Sequence, residues 1–323
     1  MHKRNISALL SPYACCKHIF IVFALLITMT GCEDFFISEV DNVKIPGSEP
    51  QLVVNSYISP QDTLIKVYVH RSRPHGMTHV EVSPVNENAE VYMAPKGGEF
   101  KKLSYDFNLR AFIIPATEFP VAPGKDYQLK VETPNGESVE AECHVPEHAV
   151  EDVSFVDLRV VYDTWGGMEV LIGWSVKPLK TAETNYFRTG GFVRSYRVRN
   201  YGDNDTIYAG SQDLWLDRGN ELFSDAAGAR YNFRGEFFGW IDIDGTQGQD
   251  EYYQNIDSVF VTVIQSDFSY FRFHQSVENY FYYDDDFPFA EPVHIYSNIK
   301  GGLGAFGGYS RRDYLLRVFP PAN

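Results

Sequence analysis

The sequence predicts an all-β protein, built mainly from two β-sandwich domains. Of its 323 residues, 24 are Phe, 21 are Tyr and 4 are Trp, while 25 Gly and 17 Pro residues supply turns. Aromatic residues are enriched in strands, and short apolar runs separated by Gly and Pro are typical of sandwiches. Several segments also alternate polar and apolar residues, which is the period of a half-buried strand.

The first 31 residues have the organisation of a secretory signal peptide. Their start is basic, and an apolar run of eleven residues, 19–29, follows. Such a run is too short to cross a hydrocarbon core of about 30 Å as a helix. Two small residues precede Cys32, the order found where bacterial lipoproteins are cleaved and lipidated. We therefore expect cleavage before Cys32, acylation of its sulfur, and a lipidated tether over residues 32–50.

Cleavage would leave the mature chain strongly acidic. The full chain has 28 basic and 43 acidic residues, a formal charge of −15; residues 1–31 hold three of the basic residues and no acidic one, so the mature charge is −18. Such a surface repels nucleic-acid phosphates and anionic lipid headgroups. We expect no nucleic-acid partner, and we expect contact with the lipid bilayer to depend on the acylated Cys32.

Residues 123–145 predict a β-hairpin. Polar and apolar residues alternate on both sides of an Asn-Gly turn, and this alternation places Cys143 on the core face. Cys143 is the only cysteine besides Cys32 left in the mature chain, so we expect a buried, inert thiol and no internal disulfide. The segment around Tyr127 resembles the tyrosine corner of Greek-key sandwiches. We interpret residues 51–146 as an immunoglobulin-like or fibronectin-like sandwich.

Residues 150–323 are interpreted as a second, β-rich domain with a glycine-rich loop. The continuous apolar run 258–264 predicts a strand and favours burial on both faces. Ser266 and Asp267 follow it as a helix N-cap, and aromatic residues with partial 3.6 spacing then predict one helix near residues 267–282.

The glycine-rich loop formally matches a dinucleotide-binding fingerprint. Only sixteen residues follow its last glycine, which leaves no room for the βαβ unit that this fingerprint requires. We therefore expect no cofactor and interpret the glycines as sites of close backbone packing. The alternative is a partner-facing surface formed by Asn298, Gly301, Gly302, Gly304 and Gly307.

The sequence predicts no metal site. His70, His75 and His79 lie in a stretch with Pro and Gly, and we interpret them as solvated loop residues. The acidic segment 242–251 lacks the glycine and the glutamate that an EF-hand template requires. An irregular calcium site in this segment or at residues 284–286 is the alternative to a solvated acidic turn.

Residues 292–306 carry a family resemblance. Their pattern Pro-Val-x-x-x-Ser-Asn-Ile-x-Gly-Gly-x-Gly-x-Phe resembles the C-terminal motif of the Bacteroidota lipoproteins called domain of unknown function 4249. Residues 52–58 are similar to the Leu-Val-Val-x-x-x-Ile strand that opens this family, and the acidic pair after Cys32 resembles a surface-export signal. Met29 departs from the Leu that is more usual there. The resemblance implies an outer-membrane lipoprotein encoded beside a TonB-dependent transporter, and it implies no catalytic residue.

Two functions follow as hypotheses. The first is a non-catalytic lipoprotein of the outer membrane, expected at the cell surface, that assists a TonB-dependent transporter or another β-barrel in nutrient binding or uptake. Exposed Tyr and Trp side chains, with Trp240 as one candidate, would serve as its recognition platform. The alternative is a surface hydrolase acting on glycans or peptides, because paired catalytic carboxylates need no fixed sequence spacing.

Overall fold

The computed structural model describes residues 50–72, 87–147, 150–162, 167–179, 183–199, 205–216, 221–225, 230–240, 252–284 and 294–317. Within these ranges the chain forms seventeen strands and one helix, which confirms the predicted all-β class. Cys32 and the rest of the predicted tether up to residue 49 lie outside the described residues, as do His75, His79 and the segment 242–251.

The largest sheet has nine strands. Eight of them form one path, in the order β12 (Asp205–Asp213), β11 (Tyr186–Arg199), β16 (Tyr252–Ser266), β17 (Leu303–Arg317), β1 (Leu52–Ile58), β2 (Leu64–Arg71), β6 (Ala111–Pro115) and β5 (Ser104–Asp106). The ninth strand, β14 (Leu222–Ser224), pairs with β11. The pairing of β1 with β17 is parallel.

Two four-stranded sheets pack against this long sheet. The first has the order β4 (Lys101–Lys102), β3 (Glu90–Pro95), β7 (Lys125–Glu132) and β8 (Ser138–Val145). The second has the order β13 (Trp215–Leu216), β15 (Tyr231–Trp240), β10 (Gly167–Pro178) and β9 (Val150–Tyr162). Phe306 and Tyr314 of β17 contribute to the first and the second core, respectively. Because side chains alternate along a strand, both small sheets cover the same face of the long sheet.

The hydrophobic interior consists of two cores. Val54, Val67 and Val131 are buried in the first core, whereas Trp174 and Val261 are buried in the second. The C-terminal residues Ile299 and Phe306 belong to the first core. Residues 49–323 form one compact unit. The assignment of residues 150–323 to a domain of their own stays a prediction.

The first sandwich has the features that its alternation predicted. The Tyr127 side chain is buried, and its hydroxyl accepts a hydrogen bond of 2.7 Å from the backbone amide of Ala122, as in a tyrosine corner. Gly136 has a φ of 82° in the turn between β7 and β8. Cys143 is a buried free thiol, and burial raises its pKa well above the ordinary value. The prediction of an inert thiol therefore has a physical basis.

The helix α1 (Phe268–Asp284) follows β16 and lies close to its predicted position. It covers the face of the long sheet opposite to the two small sheets, because Tyr270 contacts Gly307 and Tyr57, which point away from the cores. None of the described residues form a helix long and apolar enough to cross a membrane.

The prediction that the run 258–264 is buried on both faces was wrong. Val259, Val261 and Val263 are fully buried in the second core, whereas Phe260 and Ile264 are only half-buried. The reason is that the small sheets cover one face of β16 completely, while α1 begins only after β16 ends.

We predict that the parallel pairing of β1 and β17 depends on Gly304. Its φ is +105°, a region that L side chains rarely adopt, and a Cβ atom there would collide with the carbonyl oxygen of Val54. Gly304→Ala should therefore lower the free energy of unfolding by about 2–4 kcal/mol in chemical denaturation. Gly190→Ala on β11 is the control, because a Cβ at Gly190 meets no atom within 4 Å. Equal stability of the two variants would contradict the prediction.

Candidate functional site

The predicted glycine loop comprises the turn before β17 and the start of β17, and Gly302 and Gly307 lie close to other segments of the chain. A Cβ atom at Gly302 would lie 2.6 Å from the carbonyl oxygen of Leu52, and one at Gly307 would lie 2.8 Å from the Cβ of Tyr270. Gly301 is exposed, with a φ of +85°. The close-packing interpretation accounts for this arrangement, and a partner contact by these residues stays a prediction.

Asn298 joins two strands through its side-chain amide. Its Nδ2 donates to the carbonyl oxygens of Glu142 on β8 (3.1 Å) and Phe306 on β17 (2.8 Å), and its Oδ1 accepts from the backbone amide of Phe306 at 2.9 Å. All its polar atoms are thus engaged within the fold, so the Asn of the C-terminal motif ties the first small sheet to the long sheet.

Asp267 caps the helix and connects it to both sheets. Its Oδ1 accepts from the amide of Tyr270 (2.8 Å), and its Oδ2 accepts from the amides of His144 and Gly308 (both 3.1 Å). Burial raises the pKa of this carboxyl to about 6, although the backbone hydrogen bonds oppose the shift. The predicted N-cap therefore also fixes where the helix lies.

Beneath the helix lies a group of polar and aromatic side chains, which we call the helix-base cluster: Tyr57, Arg188, Glu221, Tyr270, His274 and Glu278. The His274 ring lies 4.3 Å from the ring of Tyr270 and 5.1 Å from that of Tyr57, measured between centroids. β1 supplies Tyr57, β11 supplies Arg188, and the helix supplies three members of the cluster.

Arg188 is the charged centre of the helix-base cluster. Its guanidinium donates to the Tyr270 hydroxyl and, over 3.1 Å, to the carboxylate of Glu221. Burial raises the pKa of Glu278, and repulsion by Glu221 adds to the shift. Glu278 therefore holds its proton more tightly than an exposed carboxyl does. A general acid in hydrolysis needs a carboxyl with a raised pKa, so Glu278 is the chemical support for the hydrolase alternative.

Two buried polar atoms in the cluster, the Tyr57 hydroxyl and His274 Nε2, have no hydrogen-bond partner among the described residues. Burial lowers the pKa of His274 to about 4, and the positive charge of Arg188 lowers it further. Burial raises the pKa of the Tyr57 hydroxyl. Since charging either group is unfavourable, His274 stays neutral near pH 7.

A second surface of interest is the outward face of the sheet β13–β15–β10–β9, which we call the Trp215 face: Trp215, Leu171, Val156 and Val161. Trp215 is 75% exposed, and Val156 and Val161 are 56% and 45% exposed. Trp215 pairs with Glu236, which pairs with Leu171, so these side chains share one row across three strands. Glu236 therefore lies between Trp215 and Leu171, and apolar and charged side chains alternate across this face.

Charged residues of both signs border the Trp215 face. Arg159 pairs with Leu171, Glu169 pairs with Val161, and Arg234 pairs with Gly173 in the next row. Trp and Arg are the residue types enriched in protein-recognition surfaces, and this face has Trp215, Arg159 and Arg234.

The comparisons with known proteins identify a family. The family described as "Domain of unknown function (DUF4249)" matches residues 39–314, most of the chain. The chain belongs to this family. No curated protein matches it. Among solved structures, it is similar to a crystal structure of a mutant Salmonella alpha-2-macroglobulin, with 12% identity and a TM-score of 0.22, over 71% of this chain and 14% of that chain. A similarity this low carries no argument about fold or function.

Of the other predicted site residues of the DUF4249 chain, the structure describes His70, Trp240 and Asp284, while His75, His79, residues 242–251, Asp285 and Asp286 lie outside the described residues. His70 lies on β2, and its ring stacks on that of Tyr68. Among the described residues, no three His, Cys, Asp or Glu side chains are grouped so that they could hold a metal ion. Trp240 ends β15, and Asp284 ends the helix.

The sequence hypotheses missed both the helix-base cluster and the Trp215 face. Arg188, Glu221 and His274 are far apart in sequence, and only the folded sheet brings them together. Trp215 did have a local signal. Leu214 and Leu216 on either side of it contribute to the second core, and strand alternation then places Trp215 outside.

We predict that His274 makes this DUF4249 chain less stable as the pH falls. The unfolded residue titrates near 6.5 and the folded one near 4, so its contribution is fully present above pH 6.5 and is lost as the pH falls through 4. Between these values, the wild type should lose about 2 kcal/mol more stability than a His274→Gln chain, allowing for partial exposure of the ring. Urea unfolding at several pH values measures this difference.

Asp267 titrates in the same range with the opposite sign. Because the pKa of Asp267 is raised in the folded state, its contribution to the free energy of unfolding is present below pH 3.8. This contribution is lost as the pH rises through about 6. This contribution is common to both chains and cancels in their difference. Parallel pH profiles of the wild type and the His274→Gln chain would contradict the role of His274.

Proposed function

We propose that this protein is a lipid-anchored accessory lipoprotein of a Bacteroidota outer membrane. Acylated Cys32 holds it at the membrane, on the cell surface, and its β-rich body binds an outer-membrane β-barrel such as a TonB-dependent transporter. It assists nutrient binding or uptake without catalysing a reaction. The Trp215 face is the observation that carries the recognition part of this proposal.

The N-terminal sequence supports the anchor. A basic start, a short apolar run and small residues precede Cys32. With a mature charge of −18, the body is repelled by anionic lipid overall, so stable attachment needs covalent lipid. Residues 33–49 join Cys32 to the described body, and an extended chain of this length reaches at most about 60 Å. The body therefore stays within reach of proteins in the same membrane.

The Trp215 face supports recognition of a protein. Exposed Trp residues are frequent among the side chains that dominate binding energy, because they offer a large rigid area at a low entropic cost. Trp215 shares this face with three aliphatic residues, and charges of both signs lie between and around them. This arrangement fits a partner with a mixed apolar and polar surface, such as the loops of a β-barrel.

The anchor predicts the outcome of a labelling experiment. In cells grown with radioactive palmitate, the wild-type chain should take up label and sediment with the outer membrane. The Cys32→Ala chain should take up no label and leave the outer-membrane fraction, because it has no site for acylation. Cys143→Ala is the matched control, since Cys143 is buried in the first core and should not matter for labelling. A Cys32→Ala chain still found in the outer membrane would contradict the anchor.

The recognition surface predicts the outcome of a pulldown. From detergent-solubilised native outer membrane, the tagged wild-type chain should recover a β-barrel protein, and Trp215→Ala should reduce that recovery by at least about tenfold. Phe281→Ala is the control, because Phe281 on the helix is an aromatic residue of similar exposure, 69%. Recovery of no barrel protein by the wild type would contradict the accessory role, and equal losses for both variants would contradict the Trp215 face.

A further inference from the structure

The hairpin between β5 and β6 presents apolar side chains to solvent at its tip, residues 107–110. Phe107 is 74% exposed and Leu109 is 41% exposed. The ring of Phe107 meets that of Tyr105 edge-on, with 4.9 Å between the two ring centroids. A Phe and a Leu exposed together at a turn are unusual, because turns favour small and polar residues.

The tip has a defined conformation. Asp106 Oδ1 accepts hydrogen bonds from the backbone amides of Asn108 (2.8 Å) and Leu109 (2.9 Å). Arg110 has a φ of 50°, and it is the only non-glycine residue with a positive φ in the described part of the chain. The backbone of the tip is therefore fixed while its apolar side chains point outward, so presenting them requires no further ordering of the backbone.

The register of the strands places this tip beside the N-terminus of the body. Phe112 pairs with Val67, so β6 begins beside the C-terminal part of β2. Leu52 pairs with Arg71, so the end of β2 lies beside the start of β1. The tip thus projects from the end of the sheet at which Pro50 enters. Strand β2 lies between β1 and β6, and neighbouring strands are about 4.8 Å apart. The distance between β1 and β6 across the sheet is therefore about 10 Å.

This end of the sheet also carries exposed positive charge. Arg110 lies on the tip, and Lys300 lies just before β17, whose first residue pairs with Val53 near the start of β1. The acidic residues nearby are Asp106 in the turn, Glu137 in an ion pair with Arg71, and the exposed Glu140, whose backbone pairs with that of Lys300. Apolar tips with neighbouring cations are suited to the boundary between headgroups and acyl chains.

We propose that the tip, residues 107–110, inserts into the lipid surface to which Cys32 is anchored. The inference rests on the proposed anchor and adds an orientation to it: the end of the sheet that holds Pro50 faces the membrane. The partner is a lipid bilayer, because the tether joins the body at this same end. A single weak apolar contact suffices there, since the anchor keeps the tip at a high local concentration near the lipid.

The test uses the lipidated full chain in vesicles of phosphatidylethanolamine with a minority of phosphatidylglycerol, prepared with and without brominated acyl chains. A Phe107→Trp variant places a fluorophore at the tip, and the emission of the four native Trp residues is subtracted with the wild-type chain. The added emission should shift to shorter wavelength and be quenched by brominated lipid. Phe281→Trp is the matched control and should show neither change.

The possible outcomes separate the tip from the anchor. The variants are first floated with the vesicles, and a chain that fails to float contradicts the Cys32 anchor and the inference with it. If the chains float but the Phe107→Trp emission is quenched no more than that of Phe281→Trp, the tip is not in lipid. A shift to shorter wavelength without quenching would place the tip against protein and would also overturn the inference.

Discussion

Strand β17 is hydrogen-bonded to β1 along one edge and to β16 along the other, and the two cores of the protein are joined through it. Six residues of β17, from Leu303 to Gly308, pair in parallel with β1, and those that follow pair with β16. Gly304 meets the backbone of β1 and Gly308 meets the backbone of β8 so closely that a Cβ atom would not fit. Because β17 contributes to both cores, neither sandwich is complete until this strand is in place.

The position of the helix follows from the same strand. Gly307 leaves room for Tyr270, and the amide of Gly308 donates to the cap at Asp267, so β17 determines where the helix begins. The helix in turn brings His274 and Glu278 over Arg188. The helix-base cluster is therefore a consequence of how β17 packs, and its polar atoms are enclosed because the helix covers them.

Sequence patterns within a single segment predicted the strands, turns and caps that depend only on that segment. β1 matches its predicted residues, the hairpin around Gly136 has its predicted turn, and the helix starts one residue after its predicted cap. The parallel pairing of β1 with β17 was not predictable, because it joins residues about 250 positions apart and the strand pattern does not name its partner. The same reason hid the helix-base cluster. In β16, the continuous apolar run predicts two buried faces, but only the arrangement of the sheets decides how many faces are covered.

The two surfaces that carry the proposals lie on different cores. The tip at Phe107 belongs to the hairpin at the β5 edge of the long sheet, while Trp215 lies on the small sheet that covers the second core. A contact made through the tip at Phe107 therefore does not use the Trp215 face. Strand β17 runs unbroken from the first core to the second. A membrane contact that orients the first core therefore also orients the second core. A sheet shared by two cores can therefore convert attachment at one end into a defined direction for the Trp215 face.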